Sequence, residues 1–304
     1  MKRRNFLQNS IGLGAALSSS HAWADPAQHT TNNAVFKLNF APHDGMFSNH
    51  AGTDVLRQIQ FMADEGFSAF EDNGMASRPV EQQKQIGKLL EKLEMKMGVF
   101  VAHKIYWNEG NLASGNPDRR KEFLKDISNA VEVAKRVNAK WMTVVPGCVH
   151  TQISPGFQFA NVVESLKQAS EILAQNNLIM VLEPLNFRDH PNMFLYSAPQ
   201  AYSICKAVNS PACKILFDIY HIQIQEGNII PNIDACWDEI DYFQIGDNPG
   251  RKEPTTGELN YLNIFKHIHT KGFNGILGME HGNALPNQAG ERALINAYKA
   301  VNQF

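Results

Sequence analysis

Four side chains that offer oxygen to a metal or accept a proton recur through the second half of the sequence. Glu183 follows Val181-Leu182, Asp218 follows Leu216-Phe217, Gln244 follows Tyr242-Phe243, and Glu280 follows Leu277-Gly278-Met279. Successive members stand about one strand-plus-helix unit apart, so one oxygen donor ends each of four consecutive short runs. Side chains two apart on a strand share a face. Val181, Glu183 and Leu185 therefore share one side of their run, and Ile276, Gly278 and Glu280 one side of theirs. All four polar groups converge if these runs are staves of one barrel. Three carboxylates crowded into a poorly hydrated mouth are costly unless a cation offsets them. An all-oxygen set suits a hard divalent ion, Mg²⁺ or Mn²⁺, with water or substrate completing an octahedron. A lone acid at a strand end is ordinarily a cap or an ion-pair partner; the recurrence argues for a metal centre.

The donors need a frame that brings distant strand ends together. Eight short β-rich runs, at 35–41, 67–71, 97–102, 141–145, 179–185, 215–220, 242–245 and 275–280, alternate with stretches of helical period. Eight such units predict the α/β class and a closed (β/α)8 TIM barrel rather than an open doubly wound sheet. Barrel chemistry sits at the C-terminal mouth, where the four donors stand. Val55, Ile59, Met62 and Ala63 recur at helical spacing. So do Phe123, Ile127, Ala130, Val131 and Ala134, with Asn116 as the cap ahead of Pro117. The longest irregular connections, 105–116 and 246–258, both follow strands and so belong at the mouth. No linker or composition shift divides the chain, which predicts one catalytic domain over 25–304.

Of 304 residues, 43% are hydrophobic, and 28 Lys+Arg face 30 Asp+Glu for a formal charge of -2. That composition argues against a disordered chain and against a strongly basic nucleic-acid binder. No apolar run approaches the roughly 18 residues needed to span a bilayer. Residues 1–24 read as a twin-arginine export signal: Arg3-Arg4 with Phe6-Leu7 behind, a weakly apolar stretch over 11–17, and Ala22-Trp23-Ala24 before Asp25. The signal predicts a periplasmic protein with no membrane association beyond export. Cysteines 148, 205, 213 and 236 are too few and too dispersed for a disulfide scaffold. Since the twin-arginine route carries proteins already folded in a reducing cytosol, thiols are expected, although Cys205 and Cys213 are near enough in sequence to pair.

The segments Glu183-Pro184-Leu185-Asn186-Phe187-Arg188-Asp189, Phe217-Asp218-Ile219-Tyr220-His221-Ile222-Gln223, Gln244-Ile245-Gly246-Asp247-Asn248-Pro249-Gly250-Arg251 and Gly257-Glu258-Leu259-Asn260-Tyr261 resemble the signature segments of hydroxypyruvate isomerases. These are members of the xylose-isomerase-like barrel superfamily. The resemblance covers residues 178–282, about a third of the chain. It implies that Glu183, Asp218, Gln244 and Glu280 bind the metal and that Glu183 and Glu280 are also the acid/base pair. It implies a substrate with adjacent hydroxyl and carbonyl oxygens, converted through an enediolate in the manner of hydroxypyruvate to tartronate semialdehyde. His221 would touch a substrate oxygen, and Arg251 or Arg188 would hold a carboxylate through paired hydrogen bonds. Sugar epimerases of the superfamily look similar at Glu183, Asp218, His221 and Glu280 but usually carry His where Gln244 stands, which favours the isomerase branch.

The first four strand ends do not follow the family text. They place His43, His103 and His150 at the ends of the first, third and fourth runs, and at least one is expected to contact substrate. On that reading His103→Ala raises KM or lowers kcat. An exported enzyme would stand apart from intracellular hydroxypyruvate, so a keto-sugar 3-epimerase is the nearest alternative. A non-catalytic sugar-acid binding protein is another; an endonuclease of the superfamily would need more His and Asp ligands and a basic surface. A homo-oligomer is common for such barrels, but nothing in the sequence counts subunits.

Overall fold

The computed structural model describes residues 35–304; the export signal expected at 1–24 lies outside them. The strands are β1 (Asn39–Pro42), β2 (Ala69–Phe70), β3 (Lys96–Met97), β4 (Trp141–Val144), β5 (Ile179–Leu182), β6 (Cys213–Asp218), β7 (Ile240–Gln244) and β8 (Ile276–Met279). β1, β8, β7, β6, β5 and β4 form one hydrogen-bonded run, and β2 pairs with β3. Parallel bridges from His43 to Glu71, Met97 to Ala139 and Val101 to Thr143 tie that pair to β1 and β4, closing the ring. The predicted (β/α)8 barrel is the observed architecture.

Some runs end earlier than their composition suggests, for local reasons. Pro184 has no N–H to give the ladder, so β5 stops at Leu182. Asp218 turns its side chain onto the next turn of backbone, so β6 gives way to helix at Ile219. The helices are α1 (Ser48–Ala51), α2 (Val55–Asp64), α3 (Val80–Lys92), α4 (Pro117–Val137), α5 (Pro155–Ala174), α6 (Ala198–Val208), α7 (Ile219–Gln225), α8 (Ile229–Cys236), α9 (Tyr261–Thr270) and α10 (Asn287–Val301). At the start of α4, Asn116 Oδ1 accepts from the N–H groups of Asp118 and Arg119 at 2.8 and 3.3 Å. The stripe Phe123, Ile127, Ala130, Val131 and Ala134 is buried, as its spacing requires.

Two layers fill the barrel. Ala41, Ala69, Val99, Trp141, Val181, Leu216, Tyr242 and Ile276 pack together inside it, one from each strand or its continuation. Side chains two residues further on face the same way. The next layer toward the mouth is therefore mostly polar, with His43, Glu71, Thr143, Glu183, Asp218 and Gln244, with Val101 apolar and Gly278 leaving a gap. All four cysteines are buried, unbridged thiols. Among the described residues, no helix is long and apolar enough to cross a membrane.

The helical coat packs closely enough to be tested. A Cβ on Gly87 of α3 would lie 2.1 Å from the Arg136 carbonyl oxygen of α4. Gly87→Ala is expected to lower stability by about 1–3 kcal/mol through forced separation of the two helices. An unchanged urea midpoint would mean that α3 and α4 do not approach so closely.

Candidate active site

Glu183 lies just past β5, Asp218 and Gln244 are the last residues of β6 and β7, and Glu280 lies just past β8. The barrel brings all four to one place. Glu183, Asp218 and His221 each offer a ligand atom within 4.8 Å of the others, and the Arg251 Nη2 donates to Asp218 Oδ2 at 3.0 Å and Glu280 Oε2 at 2.7 Å. Burial, then the charges of Glu280 and Asp218, hold Glu183 well above the usual carboxylate range. Burial also raises Glu280, with Arg251 opposing the shift. Both are thereby moved toward the range in which a carboxyl group exchanges protons at neutral pH.

Gln244 shows what the cluster would accept. Its carboxamide is buried, with Nε2 donating to Glu71 Oε1 at 2.9 Å. Its Oε1 is buried without a hydrogen-bond partner in the protein, an acceptor free to meet a ligand. Gln244 pairs with Asp218 across the sheet, and Asp218 clusters with Glu183; with Glu280 these residues would suit a hard divalent cation.

His221 has the proximity of a fifth ligand but the wrong proton. Asn186 Oδ1 accepts from the N–H groups of Arg188 and Asp189, both at 3.0 Å. The Asn186 Nδ2 must then be the group that donates to His221 Nδ1 at 2.6 Å. Burial pushes the His221 pKa down to about 4, so the ring is neutral and its one proton sits on Nε2. That nitrogen faces Asp218 Oδ2 at 3.6 Å and Glu183 Oε1 at 3.8 Å. It presents an N–H to the site, suited to a substrate oxygen rather than to a metal.

Arg251 arrives through a loop organised by Asp247. The buried Asp247 carboxylate accepts from the N–H groups of Asn248, Gly257 and Leu259, and its backbone N–H and carbonyl bond Lys252 O and Arg251 N. Gly257 lies so close to this loop that a Cβ would sit 2.0 Å from Asn248 O. The Arg251 side chain, expected to fork onto a substrate carboxylate, has Nε on the Glu280 carbonyl and Nη2 on two carboxylates of the protein itself. It neutralises part of the cluster and fixes Glu280.

The remaining expected contacts separate. His43 lines a cavity of about 610 Å³ with Asn73, Arg251, Glu280 and His281. Arg188 is exposed and stacks on Phe187 with its guanidinium 5.2 Å from the ring centre, away from the cluster. The His150 ring lies against Gly110, and its Nδ1 accepts from Gln152 N–H at 3.4 Å. His103 is a correction: Nδ1 donates to Lys104 O at 2.9 Å and Nε2 accepts from Val145 N–H at 3.3 Å. Both nitrogens are therefore spent joining the ends of β3 and β4. Glu71 was missed, although it stands two residues after inward Ala69 and the strand-end rule that found Glu183 applies to it equally. Burial raises its pKa to about 7. The Tyr242 hydroxyl donates to its other oxygen, Oε2.

A family model described as xylose isomerase-like TIM barrel matches residues 59–300. The chain belongs to that family. An Escherichia coli hydroxypyruvate isomerase is 33% identical over 58% of this chain and 68% of its own length. A 2-oxo-tetronate isomerase of Cupriavidus necator is 32% identical over 54% and 64%, and a human putative hydroxypyruvate isomerase 32% over 54% and 62%. The chain thus spans slightly under two thirds of the latter two, and its kinship is with the hydroxypyruvate isomerase branch. Among solved structures, one titled AP endonuclease, family 2, from Brucella melitensis superposes with a TM-score of 0.74 at 24% identity, covering 83% of this chain and 96% of that one. The 3-keto-D-glucoside 4-epimerase of E. coli superposes at 0.72 and 17%, covering 88% and 100%. Both share the fold. The periplasmic expectation is not supported: the signal it rested on lies outside the described residues, and the chain's relatives are hydroxypyruvate and 2-oxo-tetronate isomerases. An arginine pair before a short apolar stretch carried too little information to outweigh that.

His103 supplies a pH test. Burial lowers its pKa from 6.5 to about 4. The unfolded chain therefore takes up a proton between those values that the folded chain refuses. The resulting stability is present above pH 6.5 and lost as pH falls toward 4. His103→Leu should be less stable at pH 7, because two backbone groups lose their partner, but its urea midpoint should fall less steeply over that window. Parallel slopes in wild type and variant would refute a neutral, structural His103.

Proposed function

We propose that the chain is a divalent-metal-dependent isomerase of a small hydroxy-carbonyl acid, exchanging carbonyl and hydroxyl between adjacent carbons as in hydroxypyruvate to tartronate semialdehyde. Isomerase activity on small keto acids is supported by the hydroxypyruvate and 2-oxo-tetronate isomerases among the relatives. The observation that supports metal dependence is the partnerless, buried Gln244 Oε1, on the residue paired with Asp218, which clusters with Glu183. Residues 25–304 act as one catalytic domain on this reading.

A bound Mg²⁺ or Mn²⁺ would offset the carboxylates and acidify the C–H between two substrate oxygens. Glu183 or Glu280 takes that proton as base, leaving an enediolate on the substrate. The other, or the same one, returns it to the neighbouring carbon, and the hydroxyl proton completes the exchange. The His221 Nε2–H donates to a substrate oxygen. Arg251 keeps Glu280 aimed into the cavity, and the substrate's carboxylate lies there beside His43. A keto-sugar 3-epimerase is the second reading. The cavity of about 610 Å³ has room for more than three carbons, and epimerisation differs only in returning the proton to the carbon it left.

Purified protein with Mg²⁺ or Mn²⁺ in D₂O, offered hydroxypyruvate, four-carbon 2-oxo acids and ketoses in turn, should incorporate deuterium into one of them, and the product identifies isomerase or epimerase. Glu280→Gln should lower turnover by about 10²- to 10⁴-fold with an unchanged circular dichroism spectrum. Absence of exchange with every substrate would replace the catalytic reading by that of a non-catalytic sugar-acid binding protein.

A further inference from the structure

We propose that Glu71 is a positioning residue that sets the Gln244 carboxamide so that its carbonyl oxygen, and not its NH₂ group, faces Glu183, Asp218 and Glu280. The inference rests on the metal reading above and adds the residue that makes Gln244 competent for it. A carboxamide presents a donor or an acceptor by a simple flip, and nothing within glutamine chooses between them. Here Glu71 Oε1 takes the Nε2–H at 2.9 Å in a fully buried setting. Against the ionised Glu71, the flipped amide would set two acceptor oxygens face to face and turn its NH₂ toward the cluster, leaving buried polar groups unpaired.

Glu71 is itself held in place. Tyr242 donates its hydroxyl proton to Glu71 Oε2, and the same hydroxyl oxygen accepts from Val99 N–H at 3.3 Å. Two glycines clear the space. A Cβ at Gly278 would lie 1.9 Å from Glu71 Oε2, and one at Gly98 would lie 2.5 Å from the Tyr242 hydroxyl. Contacts from β2, the continuation of β3, β7 and β8 thus converge on one amide. The chain from Val99 through Tyr242 and Glu71 to Gln244 has donors and acceptors in alternation, and it terminates at the partnerless Oε1.

The test measures Mn²⁺ binding by calorimetry, alongside circular dichroism, for wild type, Glu71→Leu, Glu71→Gln, Gln244→Ala and the Glu71→Leu/Gln244→Ala double variant. Glu71→Leu is expected to weaken Mn²⁺ binding by about 10- to 100-fold. Glu71→Gln, whose one oxygen must serve both the Tyr242 hydroxyl and the Gln244 NH₂, should fall between wild type and Glu71→Leu, and Glu71→Leu should add nothing once Gln244 is alanine. Wild-type affinity in Glu71→Leu, with Gln244→Ala weakened, overturns the inference and leaves the metal reading standing. Full affinity in Gln244→Ala, or no binding by wild type, removes the metal reading and the inference with it. Should Glu71→Leu fail to fold, Tyr242→Phe decides. It loosens Glu71 and should weaken Mn²⁺ binding in wild type but not in the Gln244→Ala background; unchanged affinity overturns the inference.

Discussion

Carboxylates gathered where water is scarce repel one another and lose hydration, and the top of this barrel gathers four: Glu71, Glu183, Asp218 and Glu280. Much of the surrounding structure distributes that cost. Asp218 spends one oxygen on the first turn of α7 and the other on Arg251. Glu280 takes Asn73 on one oxygen and Arg251 on the other, while Glu71 takes Tyr242 and Gln244. Glu183 is the least compensated, and its proton affinity is raised accordingly. On the proposed reading, a group left short of partners there is the one free to transfer a proton, because the fold does not satisfy it.

The same constraint explains the neutral rings around the cluster. His221, His103 and His281 are all pushed down to about 4 by burial. They serve through fixed tautomers rather than charge, with Asn186 choosing the tautomer of His221 and backbone carbonyls and N–H groups choosing that of His103. The positive charge at the site comes from Arg251, delivered by a loop whose own acid, Asp247, is consumed entirely by backbone donors. A carboxylate that builds the loop thus places the cation that steadies the carboxylates of the site.

Much of this was legible beforehand. Eight alternating units predicted the barrel, and strand spacing put Glu183, Asp218, Gln244 and Glu280 at the ends of its last four strands. These are local properties, since period and spacing survive in one dimension. The periplasmic expectation did not carry over, because a short pattern of charge and apolarity is weakly specific. The engagement of His103 with backbone was not legible for a different reason: a histidine at a strand end looks the same in sequence whether its nitrogens face substrate or backbone.

The sequence by itself determined the architecture, the mouth at which chemistry must sit, and an oxygen-rich set of donors, because alternation and periodicity translate directly into which face a residue occupies. Only the tertiary structure decided which nitrogen of His221 carries the proton, that Arg251 binds the protein's own carboxylates, and that Glu71 reaches across the barrel to Gln244. Each of those depends on the distance and orientation of groups far apart in the chain, and hydrogen-bond direction is settled only when both partners are in place.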